Sequence, residues 1–185
     1  VVGTRFNFII SFGHAPRFAP DVKVIHIDID ATELGHNRPV DVAIAADARV
    51  ALSKLTTAAE EAGVTTSDSW RAQLAELDDR KREQSRMMAE SDQSPIHPLR
   101  VAEEIVNFVD RDAIISVDGM ETLNFGRQWI PSFVEGARLN SGPNGCMGVG
   151  IPFAMGAQVA APGRQVVAFV GDGSFFMNIQ EFDTM

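Results

Sequence analysis

Asp172, set between Gly171 and Gly173 and followed by Ser174, has the neighbours that a chemically active acid needs. Five apolar residues, Val166-Val167-Ala168-Phe169-Val170, run up to it and read as a fully buried strand of a parallel sheet. The stretch from Phe175 to Phe182 follows as a helix. Open α/β sheets bind ligands at the carboxyl ends of their strands. Gly171 and Gly173 let backbone N–H groups approach a phosphate closely, and Ser174 adds a hydroxyl. A carboxylate beside a phosphate repels it unless a cation lies between, so the pattern points to Mg²⁺ shared by Asp172 and a phosphate. Taken alone, Gly-Asp-Gly reads at least as well as an acidic turn capping the next helix.

A second stretch carries the same chemistry further. Asn140-Ser141-Gly142-Pro143-Asn144-Gly145-Cys146-Met147-Gly148-Val149-Gly150 precedes a helix of small residues expected over 152–161. So many glycines imply a backbone pressed against a ligand or a neighbouring helix. Met147 reads either as a core methionine or, given the glycines around it, as a projecting apolar wedge. Cys146 has no basic or histidine neighbour in the sequence, and it reads as a small buried residue rather than a nucleophile.

The elements that must hold these residues alternate between strand and helix. Residues 98–109 have a helical apolar period, with Pro98 in the first turn. Asp110-Arg111-Asp112 turns into the strand Ala113-Ile114-Ile115-Ser116-Val117, which ends at Asp118-Gly119-Met120-Glu121-Thr122 before a helix running to about Trp129. That strand end, opening a helix at a glycine, is either a ready anion site or an ordinary βα turn. His97, between Ile96 and Pro98, reads as structural, and the histidines lack metal-ligand spacing.

Upstream, Val1-Val2-Gly3-Thr4 reads as a strand end, residues 22–30 as a strand, Thr32–Gly35 as a helical turn and Val42–Ala45 as a brief strand. Asp47 is the N-cap of a helix over 48–62 that stops at Gly63. Asp28 and Asp30 read as capping groups at a solvated strand end, and no Gly-x-Gly-x-x-Gly accompanies them. Residues 64–97 turn polar, with a helix over 69–90 whose mixed charges mark a solvated face, then Pro95 and Pro98 break the chain. The expected organisation is therefore an α/β chain of parallel, Rossmann-like layers. Residues 1–63 form the later part of one such domain, 64–97 a linker with a helix, and 98–185 the first half of another.

The Gly142–Gly150 run, the Gly-Asp-Gly-Ser motif and their spacing resemble the thiamine-diphosphate-dependent enzymes, in the branch of acetolactate synthase, benzaldehyde lyase, oxalyl-CoA decarboxylase and 2-hydroxyacyl-CoA lyase. Gly3-Thr4-Arg5 and Ile27-Asp28-Ile29-Asp30 match that family's central domain. The resemblance implies a thiamine-diphosphate-binding fold in partial domains, with Asp172 as a Mg²⁺ ligand. It implies diphosphate or cofactor contacts from Gly119, Met120, Glu121, Thr122, Gly145, Gly171, Gly173 and Ser174. Met147 becomes the apolar residue that bends the cofactor so that its 4′-amino group approaches C2 of the thiazolium ring. It also implies FAD or ADP in the central domain of some branches. The resemblance further implies a site between subunits of a homodimer or homotetramer, with a catalytic Glu from an N-terminal domain of the partner and a second metal ligand, an Asn, expected after Met185. Substrates would be a small carbonyl compound or an acyl-CoA. Arg5-Phe6-Asn7-Phe8 with Phe12-Gly13 resembles the acyl-CoA branch, while Gly145–Gly148 and Glu181–Thr184 are nearer benzaldehyde lyase. The reading is a C–C lyase or ligase like 2-hydroxyacyl-CoA lyase, with an acetolactate synthase and a non-catalytic module of the same fold as alternatives.

Bulk properties agree with this class. The 185 residues are 45% hydrophobic, enough for a core, and no apolar run is long enough to span a bilayer. A net charge of −9 argues against general nucleic-acid binding. A single cysteine forms no internal disulfide, which fits a reducing, cytoplasmic setting. With Val1 in place of an initiating Met, the chain reads as a segment of a longer enzyme, inactive by itself.

Overall fold

The computed structural model describes residues 1–184, which divide into two compact units, residues 1–68 and the chain from residue 69 onward. Both are α/β with parallel pairing, as the alternation of strand and helix requires. Among the described residues no helix is long and apolar enough to cross a membrane.

In the first unit, β1 (Ile25–Asp28) pairs in parallel with β2 (Val42–Ala45), Ile25 opposite Val42 and Asp28 opposite Ala45. Val2 adds a parallel bridge to Ile27, so the start of the chain runs beside β1. The strand expected over residues 22–30 is shorter at both ends for local reasons. At the start, the Val24 N–H donates to the Asp41 carboxylate at 2.8 Å rather than to a strand. At the end, Asp28 accepts the Asp30 N–H at 2.9 Å, and Asp30 then caps a 3₁₀ turn (Ala31–Glu33) through the Thr32 N–H and hydroxyl. The capping reading of these two acids therefore holds. Helix α1 (Ala48–Glu61) is capped by Asp47, which accepts the Val50 N–H at 3.1 Å, and is followed by Gly63 at φ +65. The core holds Phe6, Val24 and Ile27 together with a fully buried His26, whose Nε2 meets the Thr4 carbonyl at 3.0 Å.

Asp41 also accepts from Lys23 at 2.9 Å, so one carboxylate ties the approach to β1 to the start of β2. The Val24 N–H bond first, and the Lys23 bond second, hold its carboxyl below the ordinary value. A depressed carboxyl pKa stabilises the fold above its unfolded value and loses that contribution as pH falls through the folded value. Asp41→Ala is therefore expected to lower the melting temperature at pH 7, with the gap closing by about pH 3 or below. Melts across that range check it, and a gap that widens in acid would contradict it.

In the second unit, β3 (Ile114–Asp118) is the centre of a three-stranded parallel sheet, flanked by β4 (Arg138–Leu139) and β5 (Val166–Val170). All five residues of β3 are buried. Ala102, Ala113, Ile115, Val117 and Ile130 make the core, with Leu123, Trp129, Val167 and Phe169 packed on it. The expectation for β5 needs correction. It is an edge strand among the described residues, partly buried along its length with Ala168 exposed, because only β3 pairs with it. An uninterrupted apolar run signals burial on both faces but says nothing of which strands lie beside it.

Helix α2 (Asp68–Ala89) buries Ser85 and Ala89 within this unit, where the Ser85 hydroxyl accepts from Gln128 at 2.8 Å. Helix α3 (Pro98–Phe108) starts at Pro98, and His97 caps it by accepting the Leu99 N–H on Nδ1 at 3.1 Å. That is the structural role expected of His97. Helices α4 (Glu121–Trp129) and α5 (Gly150–Ala160) follow the two glycine-bearing loops. The last helix differs most from expectation. Helix α6 (Asp172–Met177) begins at Asp172 itself, because Gly171 is extended and its carbonyl accepts the Phe175 N–H at 2.8 Å. It stops at Asn178 (φ −135, ψ 36), and a separate 3₁₀ turn (Ile179–Asp183) follows.

Candidate cofactor site at the sheet edge

The carboxyl ends of β3 and β5 bring three loops together: residues 118–122, 142–150 and 171–174. Their common anchor is Asp118, 3% exposed, a residue the sequence reading passed over. Its Oδ2 accepts the Gly150 N–H at 2.8 Å, while Oδ1 accepts the Gly119 N–H at 2.7 Å and the Ser174 hydroxyl at 3.1 Å. Its backbone carbonyl accepts the Gly171 N–H at 3.1 Å and the Thr122 hydroxyl. One buried residue thus fixes the starts of α4, α5 and α6. Nothing in the sequence marks a buried acid apart from a solvated one at a strand end. The only available signal was its place between an apolar strand and a glycine.

The glycines at this junction are needed for closeness. A Cβ on Gly150 would stand 2.4 Å from Val170 Cγ1 and 2.7 Å from Asp118 Cβ. One on Gly119 would stand 2.8 Å from Thr122 Oγ1 and 3.3 Å from the Gly171 nitrogen, at a backbone φ of +99. These contacts also redistribute the expected donors. The N–H groups of Gly119 and Gly171 already bond to Asp118, as do the hydroxyls of Thr122 and Ser174. Helix geometry leaves the first-turn N–H groups of α4 at Glu121 and Thr122, and of α6 at Gly173 and Ser174, without an intrahelical partner. Met120 and Glu121 carry exposed side chains.

Asp172 lies at the rim with its side chain exposed, the first residue of α6. Among the described residues no group of three or more His, Cys, Asp or Glu could hold a metal. Mg²⁺ commonly takes one or two carboxylates and fills its remaining positions with phosphate oxygens and water. A single exposed Asp172 fits the carboxylate share of that donor set.

Met147 is 48% exposed and reaches over the same motif, so that a Cβ on Gly173 would lie 3.3 Å from its Cε. It is therefore a projecting side chain and not a core methionine. Gly145, at φ +64 with open space around it, provides the left-handed turn that leads into it. Cys146 is exposed, which corrects the buried position expected for it: the turn at Gly145 carries residues 146 and 147 outward together.

Comparison with known families matches two stretches. Residues 1–55 match the thiamine pyrophosphate enzyme central domain, and residues 124–185 match the C-terminal TPP binding domain. The chain is 32% identical over 185 residues to a probable acetolactate synthase of Mycobacterium bovis, covering all of this chain and 33% of that protein. It is 34% identical over 190 residues to a probable acetolactate synthase large subunit of Methanocaldococcus jannaschii, covering all of this chain and 31% of the relative. Similarity to human 2-hydroxyacyl-CoA lyase 1 is 30% over 192 residues, 99% of this chain and 33% of the relative. The chain thus spans about a third of the length of the curated relatives it matches. The two family matches together take in more than half of the chain, and on that ground it belongs to the thiamine pyrophosphate enzymes, contributing parts of their central and cofactor-binding domains.

Proposed function

We propose that the full-length protein is a thiamine-diphosphate- and Mg²⁺-dependent enzyme that makes or breaks a C–C bond next to a carbonyl. The observation that carries this is Met147 lying over Gly173, beside an exposed Asp172, at the carboxyl edge of a parallel sheet. When bound, thiamine diphosphate supplies the electron sink, at C2 of its thiazolium ring. The protein's part is to hold and shape. Asp172 would hold Mg²⁺ beside the diphosphate. The N–H groups of Gly173 and Ser174, with those at the start of α4, would donate to phosphate oxygens. Met147 would offer an apolar, polarizable thioether to the cofactor's rings. Asp118 binds nothing in the ligand, yet holds all three loops in register.

Two substrate readings have separate support. Reaction of 2-oxo acids, as in acetolactate synthase, draws on the names of the mycobacterial and archaeal relatives, and we place it first. Cleavage of a 2-hydroxyacyl-CoA draws on the human relative and on the Arg5–Phe8 and Phe12-Gly13 stretch. The proposal includes a homo-oligomer with the site between subunits.

The test takes the full-length protein, stripped of metal and cofactor and then reloaded. Turnover of pyruvate that needs both thiamine diphosphate and Mg²⁺ is the expected result. Turnover of a 2-hydroxyacyl-CoA alone would transfer the assignment to the lyase reading. Cofactor binding with neither activity would favour the non-catalytic module, and no cofactor binding would defeat the proposal.

A further inference from the structure

Between Gly142 and Gly150 the chain makes a long excursion at the sheet edge, and its middle has little to hold it. Gly142 is tied by its N–H to Asn140 Oδ1 at 2.7 Å, and Gly150 by its N–H to Asp118 at 2.8 Å. From residue 143 to 149 a single side-chain hydrogen bond reaches the loop among the described residues. It comes from Asn178, thirty residues later in the chain, whose Nδ2 donates to the Gly148 carbonyl at 2.5 Å.

We infer that Asn178 is a positioning residue for Met147: it fastens the loop carrying that side chain to the end of α6, and Gln180 braces the far side of its amide. Three features of the junction support this. First, Gln180 Nε2 donates to Asn178 Oδ1 at 3.0 Å. A carbonyl only accepts, so the Asn178 amide must present its NH₂ to Gly148 and turn its oxygen the other way, where Gln180 donates to it. Second, Gly148 sits against this corner with no side chain of its own. It is buried at φ +88, and a Cβ there would stand 3.0 Å from both Asn178 Nδ2 and Met177 Cβ. Third, Asn178 is where α6 breaks off, which turns its side chain back toward the loop instead of along the helix.

The tether adjoins the residue that matters. Met147 is bonded directly to Gly148, and on its other side Gly145 is open. Loss of the Asn178 bond would remove the side-chain tie next to Met147, while Asp172 and the first turn of α6 stay in place. Placement of Met147 would suffer, and the hold on the diphosphate would not. This inference rests on the proposed role of Met147 as the residue pressed against the cofactor.

The experiment uses the full-length protein with Asn178→Asp, which keeps shape and replaces the donor with an acceptor facing a carbonyl. Gln180→Ala, at an exposed position, serves as a second variant that leaves the fold undisturbed. Amide hydrogen exchange of residues 145–150, measured by mass spectrometry without cofactor, is expected to be faster in both, and more so in Asn178→Asp. In the loaded enzyme, Asn178→Asp is expected to lower kcat by roughly ten- to a hundredfold, with the Kd for thiamine diphosphate within about threefold of wild type, as misplacement of a group near the chemistry does. Unchanged loop exchange in both variants overturns the inference, and so does a Kd that weakens in step with kcat. Met147→Ala, run in parallel, separates the two levels. If it leaves kcat intact, the role of Met147 fails. If it lowers kcat and Asn178→Asp does not, the tether alone fails. Should Asn178→Asp lose its fold by circular dichroism, the same outcomes are read from Gln180→Ala.

Discussion

Asp172→Ala in the full-length protein is expected to weaken Mg²⁺-dependent binding of thiamine diphosphate about a hundredfold or more while leaving the fold intact. The two halves of this expectation have different causes. The carboxylate is exposed at the rim and anchors no other part of the chain, so its loss removes at most the favourable interaction of an acid with the first turn of α6. Such contributions are about 0.3–1 kcal/mol. For the cofactor, Asp172 is the carboxylate proposed to hold the ion that offsets the charge of the diphosphate. A hundredfold loss corresponds to about 2.7 kcal/mol, well above the cost to folding. Calorimetric titration with and without Mg²⁺ checks the first half, and thermal unfolding of the cofactor-free protein checks the second. Unchanged affinity would remove Asp172 from the site.

The second large effect belongs to a residue that touches no ligand. Asp118→Asn is expected to destabilise the second unit by about 2–4 kcal/mol, because an amide offers one acceptor oxygen where two are needed. If the NH₂ replaces Oδ2, it faces the Gly150 N–H; if it replaces Oδ1, it faces the Gly119 N–H. The Ser174 hydroxyl can rotate to accept, but neither backbone N–H can. Each orientation therefore leaves one buried donor without a partner. Urea unfolding followed by a probe in this unit, such as Trp129, would measure the shift. A change under about 1 kcal/mol would mean that water replaces the lost bonds, and that Asp118 is not the anchor described.

Much of the scaffold was legible because its signals are local. The Asp47 cap, the Gly63 stop, Pro98 in its first turn and the apolar run of β3 each depend on neighbours within a few residues. The Gly-Asp-Gly-Ser motif and the glycine run likewise pointed to the carboxyl end of the sheet, where the structure brings them together. What the sequence hid is tertiary. The return of Asn178 to Gly148 and the three loops meeting on Asp118 join residues thirty to fifty-six positions apart. The start of α6 was misplaced for a different reason. Glycines on both sides of Asp172 suggested a loop, whereas an extended Gly171 is an adequate N-cap that lets the helix begin one residue later. Cys146 was expected inside because free cysteines usually are, and the left-handed turn at Gly145 carried it out.

Because Asp118 lies one layer beneath the rim, the architecture separates the residues that keep the cradle in shape from those that meet whatever enters it. The side chains of Met120, Glu121 and Cys146 all point outward and hold up nothing beneath them. Those positions can change identity at small cost to folding, while Asp118, Gly119 and Gly150 cannot. A scaffold divided in this way has room to diversify: new specificities can be explored at the rim without putting its foundation at risk.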